Sequence, residues 1–182
     1  RPQMHTSAVR SMVASHSVSQ IASFYNFPTT GNGAGQCVAI IELGGGYQMS
    51  DLQTYFGAMG LPMPNVVAIP IDGVGNNPSV DDPADEEVTL DIEVVGAVAS
   101  GATIVVYFAP NTEAGFLNAV LAAINDTTYR PAVVSISWGQ YEMGWTPQAL
   151  TNLNMAFQQA ALLGITICSA AGDSGALDSG TT

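Results

Sequence analysis

Two acidic side chains stand four residues apart in Glu87-Val88-Thr89-Leu90-Asp91. A third follows the apolar run Ile165-Thr166-Ile167-Cys168, in Ala171-Gly172-Asp173-Ser174-Gly175. On a helix, positions i and i+4 lie one above the other. Glu87 and Asp91 would then form a carboxyl pair that shares protons and titrates as a unit. Asp173 would sit at the carboxyl end of a buried strand, where α/β proteins gather their chemistry. Two acids on a helix and one at a strand mouth predict a proteolytic site that works without histidine.

Simpler readings of the same residues stand beside this one. An i,i+4 acid pair is commonly a solvated helix face, a role that suits Glu86 and Glu93 better because they lie off the Glu87 face. Gly-Asp-Ser-Gly is a common turn. It also suggests Ser174 as a nucleophile of the chymotrypsin-like type, but no histidine is placed to serve it, since His5 and His16 both lie near the start. Gly44-Gly45-Gly46 lacks the G-x-G-x-x-G spacing of a dinucleotide site, and Glu42 would repel phosphate there. Asp81, Asp82 and Asp85 read as a solvated loop rather than a cation site, because Pro83 interrupts them. Asn125-Asp126-Thr127 is a glycosylation acceptor pattern.

The setting is acidic. The 182 residues contain three basic side chains, Arg1, Arg10 and Arg130, and carry a formal net charge of -12. That balance argues against nucleic acid or an anionic membrane as partner and suits a working pH well below neutral, where most carboxyls are protonated. No apolar run is long enough to span a bilayer, and the opening Arg1-Pro2 reads as a processed, secreted product. Cys37 and Cys168 each lie in an apolar run and are expected as buried free thiols. The length suits one domain.

The elements that must position the acids alternate along the chain. Residues 1–15 read as an arm or linker remnant. Ser17 caps a short helix that stops before Pro28. Strands are expected at 37–41, 66–69, 104–108, 133–137 and 165–170, with helices at about 50–59, 87–99, 114–124 and 147–163 between them and an irregular acidic loop at 72–83. Five strands separated by helices give a doubly wound parallel sheet with helices on both faces. Its functional loops meet at the strands' carboxyl ends, which brings together Glu42, Trp138, Gly139, Asp173 and the Glu87 helix.

Four segments resemble the sedolisin family of serine-carboxyl peptidases, its kumamolisin-like members most of all: Ile40-Ile41-Glu42-Leu43-Gly44-Gly45-Gly46-Tyr47, Glu87 through Gly96, Val134-Ser135-Ile136-Ser137-Trp138-Gly139, and Ala170-Ala171-Gly172-Asp173-Ser174-Gly175. Phe108-Ala109-Pro110-Asn111 adds to them. The resemblance implies a subtilisin-like fold and cleavage of peptides in acid. By position it makes Glu87 the general base, Asp91 the carboxylate behind it and Asp173 the acid that stabilises the oxyanion. Glu42 and Trp138 extend the hydrogen-bond network, and Ser137, Trp138 and Gly139 are expected to meet an extended peptide substrate. A glutamate base suits acid: histidine, with a reference pKa of about 6.5, is already protonated near pH 4, whereas the glutamate reference is about 4.3.

The family's nucleophilic serine lies in a Gly-Thr-Ser motif that this sequence lacks, and its calcium loop lies later still. Residues 16–182 are therefore expected to be the N-terminal part of a single peptidase catalytic domain. They are expected to be inactive alone, to be completed by a second chain, and to hold no cofactor themselves, with Ca2+ belonging to the absent part. The alternative from the same residues is a non-catalytic peptide-binding module; a Rossmann-type oxidoreductase is a more distant one.

Overall fold

A computed structural model describes residues 3–4, 16–28, 30–79, 82–173 and 175. The strands are β1 (Gln3–Met4), β2 (Cys37–Glu42), β3 (Asn65–Pro70), β4 (Thr103–Phe108), β5 (Val133–Ile136), β6 (Trp138–Gly139) and β7 (Thr166–Ser169). The α-helices are α1 (Val18–Phe24), α2 (Met49–Ala58), α3 (Asp82–Val98), α4 (Glu113–Ile124) and α5 (Pro147–Leu162). Five strands pair in parallel in the order β3-β4-β2-β5-β7. Strand β2 is at the centre, as its unbroken apolar run requires.

Each face of the sheet has its own core. Ile40, Ile104, Val106 and Phe108 pack under Leu52 and Phe56 of α2 and Val88 and Ile92 of α3. The opposite face, with Ala39, Ile41, Val105, Tyr107, Val134 and Ile136, lies against Phe116 and Val120 of α4 and Leu153 and Ala160 of α5. The helices begin where side chains satisfy their first amides. Ser17 and Gln20 form a capping box at α1, Thr112 accepts from the Gly115 amide, and Thr146 accepts from the Ala149 amide ahead of Pro147. Glu113 joins the starts of α4 and α5 by accepting from the Thr146 amide at 2.8 Å and its hydroxyl at 2.6 Å.

Four expectations change. Helix α3 begins at Asp82 rather than near Glu87, with Pro83 in its first turn, where a missing amide hydrogen costs nothing. Strand β7 is not buried: among the described residues it is an edge of the sheet, and its side chains are exposed or half-buried. Cys168 is therefore exposed, while Cys37 on the central strand is buried as expected. Strand β6, absent from the sequence reading, continues beyond β5 and pairs antiparallel with Gln3–Met4 of the N-terminal arm.

The glycine run after β2 serves packing. A Cβ on Gly46 would stand 2.4 Å from Asn76 Oδ1, which accepts from the Tyr47 amide at 2.8 Å. The loop after β3 is thus pinned to the segment that follows β2. A Cβ on Gly115 would fall 2.2 Å from the Pro110 carbonyl oxygen, a backbone atom that cannot step aside. Gly115→Ala is expected to cost about 1–3 kcal/mol in urea unfolding. Gly57→Ala, in an open position of α2 with nothing within 4 Å, is expected to gain about 0.5–1 kcal/mol.

Candidate active site

Three segments bring acids to the carboxyl end of the sheet. Register places the first two. Ile41 is level with Ile136, so one step further Glu42 is level with Ser137, and strand alternation turns both toward the face that carries α3. On α3 the buried Val88 and Ile92 lie on the sheet, and this turns the neighbouring stripe of Glu87 and Asp91 toward the same corner. Asp173 follows the end of β7. It is exposed, yet close enough to Glu87 for its charge to act there.

The side chains interlock. Ser137 Oγ donates to Asp91, 3.0 Å from Oδ1 and 2.9 Å from Oδ2. The Trp138 indole Nε1 donates to Glu42 Oε2 at 2.7 Å. Glu42 is 0% exposed and Glu87 5%, and Glu42 Oε1 is buried without a hydrogen-bond partner among the described residues. Arg130, the one basic side chain among the described residues that carries a fixed charge, turns its Nε to the Thr127 carbonyl instead.

Burial with no cation nearby among the described residues fixes the electrostatics. Removal from water pushes Glu87 up to about 7, with the Asp91 and Asp173 charges adding to it and the Ser137 hydrogen bond opposing it. Asp91 rises to about 6, again from burial and again opposed by Ser137. Glu42 stands well above the usual carboxylate range because of burial and the Asp91 charge, although the Trp138 hydrogen bond pulls the other way. The expectation that Glu87 stays near its reference value is thus corrected: in acid this group holds its protons.

The sequence reading gave Ser137, Trp138 and Gly139 to an extended peptide through their backbone, and Trp138 also to the acid network. The Ser137 hydroxyl and the Trp138 indole meet acids, and the backbone of Trp138–Gly139 carries an extended strand, with Met4 opposite Trp138 and Gln3 opposite Gly139. Missed by that reading was the Ser137 hydroxyl bonded to Asp91. The alternation in Val134-Ser135-Ile136-Ser137, apolar toward one face and polar toward the other, was the available signal. Beside β6 a cavity of about 350 Å³ opens between Trp138, Phe116, Trp145, Phe157, Ala170 and Ala171. Ser174, His5 and Asp81 lie outside the described residues. His16 is exposed, edge-on to Phe24, and Asp85 accepts from the Ser79 amide.

A parallel α/β sheet with a histidine-free acid cluster at its carboxyl end defines the class, a subtilisin-like fold. No family-wide sequence profile matches the chain. Kumamolisin of Bacillus sp. (strain MN-32) is 53% identical over 159 residues, which is 87% of this chain and 29% of that protein. Tripeptidyl-peptidase sed5 of Aspergillus fumigatus is 30% identical over 176 residues, 87% of this chain and 30% of that protein. The solved Pseudomonas sedolisin, a serine-carboxyl proteinase complexed with two molecules of pseudo-iodotyrostatin, superposes with a TM-score of 0.76 at 24% identity. It covers 90% of this chain and 46% of that one. The chain belongs to the sedolisin family and is kumamolisin-like. It spans less than a third of the length of these two relatives.

The raised acids set a pH dependence of stability. A carboxyl whose pKa is higher folded than unfolded binds its proton more tightly when folded. Its contribution is complete below the unfolded value and is lost as pH rises through the folded one. For Glu87 that window runs from 4.5 to about 7, and for Asp91 from 3.8 to about 6. Thermal melts are expected to show stability falling across pH 4 to 7, by on the order of 3 kcal/mol from the pair. Glu87→Gln with Asp91→Asn is expected to flatten that fall.

Proposed function

We propose that this chain carries the acid half of a serine-carboxyl endopeptidase active in acid. In this reading Glu87 takes the proton of an attacking serine hydroxyl, Asp91 backs Glu87, and neutral Asp173 donates a hydrogen bond to the oxyanion that forms on the scissile carbonyl. Glu42 and Trp138 hold the rear of the cluster. The observation that carries the reading is the gathering of Glu42, Glu87 and Asp91 at the carboxyl end of the sheet, with the Asp173 charge reaching Glu87. Glu42, Glu87 and Asp91 hold their protons above ordinary carboxylate values, with no Lys or Arg against them among the described residues.

The nucleophile comes from polypeptide outside these 182 residues, a second chain that completes the fold and without which this one is inactive. Supporting this are the open edge and exposed side chains of β7 and the small share of kumamolisin that the chain spans. Calcium is left to that outside polypeptide. The acids described here do not fit it: among the described residues no group of three or more His, Cys, Asp or Glu is placed to hold a metal ion. Residues 16–182 act as the N-terminal part of the catalytic domain, and the protein works outside the cell. No helix among the described residues is long and apolar enough to cross a membrane.

Peptide is the substrate. The pairing of Gln3–Met4 on β6 gives the polarity with which a substrate strand would lie. Running antiparallel, such a strand passes Gly139 first, then Trp138, and arrives at Ser137 and the acids with its carboxyl-terminal end. The β6 edge therefore holds the part of the substrate on the amino-terminal side of the scissile bond.

In the completed peptidase, Glu87→Gln and Asp173→Asn are each expected to reduce kcat at least a hundredfold at acid pH, while Ser174→Ala stays within a few-fold of the parent. Steady-state kinetics on a chromogenic peptide decides this. A dead Ser174→Ala beside a live Asp173→Asn would overturn the assignment.

A further inference from the structure

Asn76 meets Tyr47 as a neighbouring strand would. Its Oδ1 accepts from the Tyr47 amide at 2.8 Å, and its Nδ2 donates to the Tyr47 carbonyl at 3.1 Å. One side-chain amide, a donor and an acceptor in one plane, thus satisfies both main-chain groups of a residue 29 positions away. The Asn77 amide adds a bond to the Gly45 carbonyl at 3.1 Å. Between these two ties Gly46 lies so close to Asn76, Asn77 and Pro78 that it admits no side chain. The loop after β3 and the turn after β2 therefore hold together as one piece.

That piece rests on the first turn of α3. A Cβ on Gly45, whose φ is +66°, would stand 2.6 Å from the Ala84 carbonyl carbon, 2.8 Å from its Cβ and 2.9 Å from its oxygen. Ala84 is buried and lies three residues before Glu87. Helical side chains lean back toward the amino terminus, so Glu87 lies over the turn that Gly45 braces. The Ser79 amide donates to Asp85 in the same turn. The buried Tyr47 ring stacks on Phe108, centroids 6.5 Å apart, in the core that also holds Val88 and Ile92.

We propose that Asn76 is a positioning residue for the reaction: resting on the peptidase reading above, it holds the Gly45–Tyr47 turn against the start of α3 and so fixes where Glu87 meets the hydroxyl of the nucleophile. Val88 and Ile92 decide which face of α3 meets the sheet, but apolar contact is non-directional and does not by itself fix a helix along its axis. The backbone contact at Ala84 supplies that stop. A reacting group displaced by about 1 Å can lose on the order of a hundredfold in rate, so a side chain that bonds to none of the acids still governs the chemistry.

The test measures kcat, KM and thermal melts of the completed peptidase across pH 2 to 8 for Asn76→Ala, Asn76→Asp and Asp126→Ala. The last removes the acceptor of the Tyr107 hydroxyl at the amino end of β5 and serves as the structural comparison. Asn76→Ala is expected to lower kcat about tenfold or more, with KM within about threefold. Asp126→Ala is expected to melt earlier with kcat within about twofold of the parent. Asn76→Asp carries the sharper readout. Below the aspartate reference of about 3.9 its carboxyl keeps a donor and an acceptor, as Asn does; once ionised it loses the donor and sets a charge against the Tyr47 carbonyl. Its kcat relative to the parent at the same pH is expected to be near one at pH 3 and to fall to the Asn76→Ala level by about pH 5.5. Near-parental kcat in Asn76→Ala would overturn the proposal, as would kcat losses that track melting temperature alike in Asn76→Ala and Asp126→Ala. Should Asn76→Ala fail to fold, a constant Asn76→Asp ratio from pH 3 to 5.5 would overturn it. If the unsubstituted protein cleaves no peptide at any pH, the peptidase reading itself fails and this role falls with it; activity without an Asn76 effect removes only the role of Asn76.

Discussion

Carboxyl groups taken out of water without a cation must keep their protons, and the rest of the site follows from that. Ionised carboxylates packed together in a region closed to water would repel one another and forfeit hydration. Among the described residues no Lys or Arg stands against them. The donors that meet them are neutral, an indole for Glu42 and a hydroxyl for Asp91. Such an arrangement is at ease in acid and under strain near neutrality, in keeping with a surface that carries few charges other than carboxylates.

The scaffold explains how acids so far apart in sequence come to share this corner. Parallel pairing of β2 with β5 sets Glu42 level with Ser137, and Trp138 then reaches Glu42 across 96 positions of sequence. Helix α3 is fixed by Val88 and Ile92 on the sheet, which leaves its next stripe no direction but toward β5. The apolar core thus orients the polar cluster: no loop has to hold Glu87 or Asp91, and both sit on a helix clamped by packing on one side.

Much of this was legible in the sequence. The unbroken apolar run at β2 and the i,i+4 spacing on α3 depend only on local geometry, and both gave the right element and face. What stayed hidden depends on strand order and distant pairing. Cys168 lies in an apolar run much like that of Cys37, but β7 has no neighbour beyond it among the described residues. Strand β6 is two residues long and exists because Gln3–Met4 lies on it. The burial that lifts Glu42, Glu87 and Asp91 cannot be read from their identities, because it comes from elements folding over them. Ser137 could be placed at a strand end, but its bond to Asp91 depends on how α3 crosses the sheet.

The central claim is that these acids hold protons where ordinary carboxyls have lost them. The direct measurement is a carboxyl-carbon NMR titration of the folded protein with the side chains of Glu87, Asp91 and Glu42 assigned. The account predicts Glu87 titrating near 7 and Asp91 near 6, with Glu42 well above the usual carboxylate range. All three titrating together near pH 4 would contradict it.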